Sequence, residues 1–248
     1  MLRRYLIIFL QRLLTLAGKP FLRRGHLDVS QHSIIIAPST YSPWIVDQEF
    51  QNIYKEIRDY TPIDKYKLYE LWQLTAQVAK LHGDLIEVGC GLGGSGCLIA
   101  RQCQLQGITA TVYLCDAFNG VIKPSADDPP YVGGTYSTSD KQIVERLSRE
   151  LRLDNIQILR GVFPDETGEA VRNKNFRLCH VDIGTYQSSR DAVHWVWSRL
   201  VTGGVVVEDD YGYAATPGIR KYVHEISERS DNLAIHNLNG HSIMVKVR

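Results

Sequence analysis

The sequence predicts an α/β fold: a doubly wound, Rossmann-like sheet of about seven strands, mostly parallel, whose last strand runs antiparallel. Three observations predict it. Short apolar segments alternate with segments of helical period over residues 85–247, as expected of a parallel sheet with helices on both faces. A glycine-rich turn joins the first strand to the next helix, as in the first half of a βαβ unit. Asn239-Gly240 separates the last two strands and favours a hairpin, which makes the final strand antiparallel.

The composition limits the classes of function. The chain has 248 residues, 44% of them hydrophobic, and a formal net charge of +1, so it can bury one large core. Near-neutral charge gives no electrostatic basis for a nucleic-acid partner. Its 5 cysteines include no Cys-x-x-Cys pair, which favours buried, reduced thiols and a cytoplasmic protein.

Residues 1–46 are predicted to form an N-terminal extension of the domain at residues 47–248. Apolar residues in 2–17 fall at helical spacing, but arginines interrupt them and the segment is too short to span a bilayer. No small-residue cleavage site indicates a signal peptide. We expect an amphipathic helix that packs on its own domain, on a second subunit of a homo-oligomer, or on an anionic membrane surface. After it, only residues 33–37 are predicted to be extended.

Two helices are predicted before the first strand, over residues 47–58 and 64–80, with Asp64 as the N-cap of the second. The later elements follow in alternation. Helices are predicted at residues 95–106, 140–153, 186–200 and 217–229, and strands at residues 85–88, 111–116, 156–159, 176–182, 205–210, 233–237 and 243–247, with a short helix before residue 176.

The turn after the first strand is the first candidate site. Its glycines let a backbone approach a ligand closely, and the helix that follows offers free N–H groups to an anionic group. Because no Lys-Ser/Thr pair follows, a P-loop is not indicated; a nucleotide, a dinucleotide and S-adenosylmethionine remain, beside a turn used only for packing. The candidate residues are Glu87, Gly89, Gly91, Gly93 and Ser95.

The second strand ends in Asp116, the place at which an acid binds ribose hydroxyls in such folds. A long loop follows, over residues 118–139, and its length is typical of a lid over a site. Asp127 and Asp128 in this loop are expected to be solvated turn residues.

Three acids end the fourth and fifth strands: Asp182, Asp209 and Asp210. Since both strand ends face the same crevice, the carboxylates would repel one another unless a cation lies between them, and oxygen ligands suit Mg²⁺. The alternative is that they are helix caps and turn residues. His180 is expected to point to the opposite face of the sheet, which leaves only oxygen ligands.

A set of short segments from residue 47 onward occurs in one order and spacing. They are Ile53-Tyr54, Arg58-Asp59-Tyr60-Thr61, Leu68-Tyr69, Glu87-Val88-Gly89 with Gly93-Gly94-Ser95, Asp116-Ala117-Phe118-Asn119-Gly120, Gly161-Val162-Phe163, Val181-Asp182 with Tyr186-Gln187-Ser188-Ser189, and Gly203-Gly204 with Glu208-Asp209-Asp210-Tyr211-Gly212. Together they resemble the macrocin O-methyltransferase family, whose members use S-adenosylmethionine to methylate sugar hydroxyls of natural products. One departure is Asp182-Ile183-Gly184, where the family usually has Asp-Gly-Asp, so its second acid is missing here.

The resemblance implies a class I methyltransferase fold and a role for each candidate residue. The glycine-rich turn would admit the methionine end of the cofactor, Asp116 would bind its ribose hydroxyls, and Gly161, Val162 and Phe163 would flank its adenine. Glu87 and Phe118 are further cofactor-binding candidates. Mg²⁺ on Asp182, Asp209 and Asp210 would chelate a hydroxylated acceptor, with Asp182 as the proton acceptor.

Three other functions remain open. A metal-dependent methyltransferase of catechols would use the same acids. A non-catalytic cofactor-binding scaffold would leave the acids unexplained. An NAD-dependent dehydrogenase would share the first βαβ unit, but it needs a Tyr-x-x-x-Lys or a His/Arg set that the sequence does not offer.

Overall fold

The computed structural model describes residues 31–32, 35, 39–135 and 139–248. The predicted helix at residues 2–17 lies outside the described residues, as does most of the segment predicted to be extended at residues 33–37. No helix among the described residues is both long and apolar enough to cross a membrane.

A seven-stranded sheet forms the centre of the molecule. The strands are β1 (Asp84–Val88), β2 (Val112–Asp116), β3 (Ile156–Arg160), β4 (Phe176–Val181), β5 (Leu200–Glu208), β6 (Asn232–His236) and β7 (Ser242–Lys246). Their order is β3-β2-β1-β4-β5-β7-β6. The first five strands are parallel, and β7 pairs antiparallel with both β5 and β6. The predicted strand number and the antiparallel last strand are confirmed, and the hairpin places β7 between β5 and β6.

Six α-helices of the described part of the chain surround the sheet. They are α1 (Gln48–Ile57), α2 (Lys65–Gln77), α3 (Gly94–Leu105), α4 (Lys141–Glu150), α5 (Tyr186–Trp197) and α6 (Pro217–Ser227). The side chain of Asp64 accepts hydrogen bonds from Tyr66 N and Lys67 N, so the predicted cap of α2 is confirmed. The second predicted helix ends earlier than expected, at Gln77, and continues as a 3-10 turn.

Side chains alternate along each strand, and two separate cores result. Leu85 of β1 packs in a core with residues of α1 to α4, such as Phe50 and Leu98. The next residue, Ile86, packs in the opposite core with α5 and α6, through residues such as Val193 and Tyr222. Both faces of the sheet are therefore covered, and the carboxyl ends of the parallel strands remain as the place for a site.

Candidate functional site

A cavity of about 870 Å³ lies at the carboxyl ends of β1 to β5. Ten of the residues singled out in the sequence line it: Gly89, Gly91, Ser95, Asp116, Gly161, Val162, Phe163, Asp182, Asp209 and Asp210. The parallel sheet brings them together because they lie at or just after the carboxyl ends of β1 to β5, which share one edge. The turn after β1 and the three acids thus share one space.

The turn after β1 requires glycine where it passes the end of β4. Gly89 has a φ of +91°, and a Cβ on it would lie 2.0 Å from the carbonyl oxygen of Asp182. Any other residue would clash with this backbone. At this point the wall of the cavity therefore consists of backbone atoms.

Asp116 ties the ends of β1 and β2 together. Its Oδ2 accepts a hydrogen bond from Gly91 N at 2.8 Å, and its Oδ1 accepts one from Phe118 N at 2.7 Å. Burial raises the pKa of this carboxyl, while the two N–H donors act in the opposite direction. Each oxygen keeps a lone pair that can accept a further bond from a ligand.

Three predicted cofactor residues do not line the cavity, and their part in cofactor binding remains a prediction. Glu87 is fully buried beneath it, with Oε1 2.8 Å from His180 Nδ1. Gly93 faces helix α4, since a Cβ on it would lie 2.8 Å from a methyl carbon of Val144. Phe118, with a φ of +54°, turns into the core between the sheet and α1 to α4.

The three acids converge as predicted in space. One carboxylate oxygen each from Asp182, Asp209 and Asp210 lie within 4.8 Å of one another. Burial, together with the charges of Asp209 and Asp210, raises the pKa of Asp182 well above its usual value. Burial and the charge of Asp209 raise the pKa of Asp210 to about 6. The three carboxyl groups therefore oppose one another's ionisation.

Asp209 behaves differently because it has cationic partners. Burial acts to raise its pKa, but a hydrogen bond from His241 and the positive charge of Lys67 outweigh burial and hold the pKa below its usual range. The distances are 2.8 Å from His241 Nε2 to Asp209 Oδ1 and 3.1 Å from Lys67 Nζ to Asp209 Oδ2. Asp209 is therefore the firmly ionised member of the cluster.

The position of His180 corrects a prediction. Its Nε2 lies 4.0 Å from Asp209 Oδ1 rather than on the opposite face. His180 and Asp182 are two residues apart, and residues at that spacing in a strand share a face. Counting the parity correctly would have placed His180 beside the acids.

Lys67, Glu70 and His241 could not be singled out from motifs. Lys67 and Glu70 lie on α2, and His241 lies in the turn before β7. One signal was available: Lys67 precedes Leu71 by four residues, and therefore lies on the apolar face of its helix. A lysine on a buried face needs a counter-charge, which the packing of α2 against the sheet supplies.

The loop at residues 117–135 covers one side of the cavity and is anchored to α5. Asp128 is fully buried, and its Oδ1 accepts a hydrogen bond from Tyr186 N at 2.8 Å. The expectation that Asp128 is a solvated turn residue is therefore wrong, because it caps a helix that has no cap in its own sequence. Asp127 is partly exposed and pairs with Lys221 at 2.9 Å.

Tyr131 of this loop lies over Gly184, the position of the missing acid. A Cβ on Gly184 would lie 3.2 Å from the Tyr131 hydroxyl oxygen and 3.4 Å from Asp210 Oδ2. The space that a side chain at residue 184 would use is therefore bordered by a phenol and a carboxylate of the cavity wall.

The fold resembles that of solved methyltransferases. The O-methyltransferase NovP aligns with a TM-score of 0.68 and 21% identity, over 76% of this chain and 83% of NovP. The calicheamicin methyltransferase CalS11 aligns with a TM-score of 0.63 and 14% identity, over 84% of this chain and 94% of CalS11. The sheet order and the cavity at the strand ends thus define a class I, Rossmann-like methyltransferase fold.

The family follows from the sequence match. Residues 55–238 match the family described as macrocin-O-methyltransferase (TylF), and the chain belongs to this family. A relative from Streptomyces olivaceus, named 8-demethyl-8-(2,3-dimethoxy-alpha-L-rhamnosyl)-tetracenomycin-C 4'-O-methyltransferase, is 29% identical over 157 residues. The match covers 59% of this chain and 59% of that relative.

Proposed function

We propose that this protein is an S-adenosylmethionine-dependent, Mg²⁺-dependent O-methyltransferase that acts on a hydroxyl of a sugar or of a glycosylated natural product. One observation carries the proposal. A single cavity joins the turn after β1 and the acid of β2 to the cluster of three carboxylates. A methyl donor at the first end would face an acceptor at the second.

The end of the cavity at β1 to β3 fits S-adenosylmethionine. Gly89, Gly91 and Ser95 line this end of the cavity, and the first turn of α3, which begins at Gly94, offers N–H groups that suit the carboxylate of a methionine group. Asp116 keeps lone pairs for ribose hydroxyls, and Gly161 to Phe163 would flank the adenine. The bound cofactor supplies a methyl group that its sulfonium makes electrophilic.

The end at β4 and β5 fits a divalent cation. Asp182, Asp209 and Asp210 bring carboxylate oxygens within 4.8 Å of one another, and their repulsion favours a positive charge between them. Mg²⁺ is held in proteins by a few carboxylates together with waters. When bound there, it would lower the pKa of an acceptor hydroxyl and fix the position of its oxygen.

Asp182 is the proposed proton acceptor. It lines the cavity beside the two other acids, where an acceptor hydroxyl would lie, and a carboxylate placed there can act as a general base. Bound S-adenosylmethionine would supply the methyl group with its sulfur as the leaving group, and Asp182 would take the proton of the acceptor hydroxyl. The products are a methyl ether and S-adenosylhomocysteine. Orientation of the two reactants in one cavity supplies roughly 7–11 kcal/mol in favourable cases.

The acceptor class rests on the family and on the printed name of the relative, which methylates a rhamnosyl group. A catechol also presents two adjacent oxygens, so the assay includes both classes. Transfer of a labelled methyl group is measured against a panel of rhamnosides, other glycosides and catechols. We expect transfer to a glycoside, and transfer to catechols alone would identify the alternative acceptor.

The metal arm of this assay uses chelator and two variants. Excess chelator should abolish transfer, and added Mg²⁺ should restore it. Asp182→Asn and Asp209→Asn should reduce transfer far more than they reduce cofactor affinity, since each removes a ligand from the carboxylate cluster. Asp154→Asn is the matched control, because Asp154 is exposed and bonds to Gln104. Full turnover in excess chelator contradicts the metal assignment.

A further inference from the structure

Lys67 is a buried cation next to the proposed cation site. Its side chain has 0% exposure. Its Nζ donates to the carbonyl oxygen of Asp209 at 2.5 Å and to Asp209 Oδ2 at 3.1 Å, and lies 4.3 Å from the centre of the Tyr213 ring. Burying an ammonium group is costly unless it is paired and hydrogen-bonded.

The other oxygen of Asp209 is held from the same helix through a histidine. Glu70, one turn after Lys67 on α2, lies 2.5 Å from His241 Nδ1, and His241 Nε2 lies 2.8 Å from Asp209 Oδ1. Asn239 also donates to Glu70, at 3.1 Å. Helix α2 therefore fixes both oxygens of one carboxylate of the cluster, through Lys67 on one side and Glu70 with His241 on the other.

His180, Asp209 and His241 could also be read as a nitrogen-ligated metal site, since their ligand atoms lie within 4.8 Å of one another. The distance from His241 Nε2 to Asp209 Oδ1 is that of a direct hydrogen bond. The ammonium of Lys67 on the second oxygen adds a positive charge that opposes a dication there. The side chains of His241 and Lys67 therefore neutralise Asp209 through direct contacts.

We infer that Lys67 is a built-in counter-charge of the carboxylate cluster, which holds Asp209 in place when no divalent ion is bound and weakens the binding of such an ion. The inference rests on the proposed role of Asp182, Asp209 and Asp210 as cation ligands. Without the ammonium, only His241 would offset the charge of Asp209, and the attraction of the three carboxylates for a dication would rise because the repulsion from Lys67 is gone.

The test replaces Lys67 by methionine, which is unbranched and uncharged. The midpoint of thermal unfolding is measured in excess chelator and in millimolar Mg²⁺, and Mn²⁺ affinity is measured by electron paramagnetic resonance. For Lys67→Met we expect a larger rise of the midpoint on adding Mg²⁺ than in the wild type, and Mn²⁺ binding tighter by about tenfold or more. Lys55→Met, an exposed position on α1, is the matched control and should behave as the wild type.

Each other outcome is decisive. Equal loss of stability with and without Mg²⁺, or Mn²⁺ binding that is unchanged or weaker, overturns the inference, because Lys67 would then serve packing or positioning alone. If Lys67→Met does not fold in chelator, Lys67→Gln is measured in the same way, and folding restored by Mg²⁺ supports the inference. If neither variant folds even in Mg²⁺, the inference is wrong. A wild-type protein that binds no Mn²⁺ overturns the proposed metal dependence itself, whereas normal wild-type binding with an unchanged variant overturns only this inference.

Discussion

At the scale of single residues, the carboxylate of Asp116 offers the most direct test of cofactor binding. It accepts two backbone hydrogen bonds at the cavity wall. We expect Asp116→Ala to weaken S-adenosylmethionine binding by at least a few-fold, because a lost hydrogen bond to a ligand typically costs about 1 kcal/mol or more. Isothermal titration calorimetry with the cofactor measures this effect.

Asp84→Ala is the matched control for this measurement. Asp84 also accepts a backbone N–H at the boundary of β1 and β2, from Thr111 at 3.0 Å, but it lies at the opposite end of the strands. A loss of affinity shared equally by both variants would indicate a general loosening of the sheet, and unchanged affinity in Asp116→Ala would remove Asp116 from the cofactor site.

The sequence could predict the site residues that follow the ends of strands. It could not predict the site residues that only tertiary packing brings to the cavity. Asp182, Asp209 and Asp210 meet because each follows a parallel strand at one edge of the sheet. Lys67 and His241 reach Asp209 only through the docking of α2 and of the last hairpin. No local motif encodes such contacts, since they join residues more than 30 positions apart in the chain.

At the scale of elements, the loop at residues 117–135 and helix α5 are linked through one buried side chain. Asp128 accepts from Tyr186 N and from the Ser125 hydroxyl, at 2.8 and 2.7 Å. We expect Asp128→Ala to lower the free energy of unfolding by about 1–2 kcal/mol, because it removes a helix cap and leaves buried donors unpaired. Unfolding in urea, followed by circular dichroism, measures the change.

The neighbouring residue provides the control. Asp127 pairs with Lys221 at the surface, and such exposed pairs contribute little, so Asp127→Ala should change the free energy of unfolding by less than about 0.5 kcal/mol. If the two variants lose equal stability, the capping role assigned to Asp128 is wrong.

Hydrophobic periodicity and turn residues predicted most helices and strands, because both signals depend on local sequence. The alternation of apolar residues gives the strands, and Asn239-Gly240 gives the closing hairpin. The position of this hairpin beside β5 depends on which edge of the sheet is free, and no local sequence pattern specifies the free edge. The length of the loop at residues 117–135 indicated a segment next to a site. Its attachment to α5 could not be predicted, since an aspartate in a proline-rich loop is usually solvated.

At the scale of the whole molecule, the cavity and the buried residues of both cores lie after the predicted N-terminal extension. The cavity is lined by residues between Asp59 and Thr216, and the two cores of the described part begin at Phe50. Trp44 of the predicted extension packs against the first of these cores, and the division at residue 46 remains a prediction. The role of residues 2–17, on the domain itself, on a second subunit or on a membrane surface, likewise remains a proposal.

Deletion of residues 1–17 tests this division. We expect the truncated protein to fold and to bind S-adenosylmethionine with the affinity of the full chain, because every described residue of the cofactor end of the cavity lies beyond residue 58. Calorimetry measures the affinity, and circular dichroism confirms the fold.

Light scattering and sedimentation with vesicles of anionic lipid are compared between the truncated and the full-length protein. A lower mass of the truncated protein identifies a subunit contact, and lost sedimentation identifies a membrane contact. A truncated protein that folds but no longer binds the cofactor would show that the N-terminal segment completes the cofactor site, and the division at residue 46 would then be wrong.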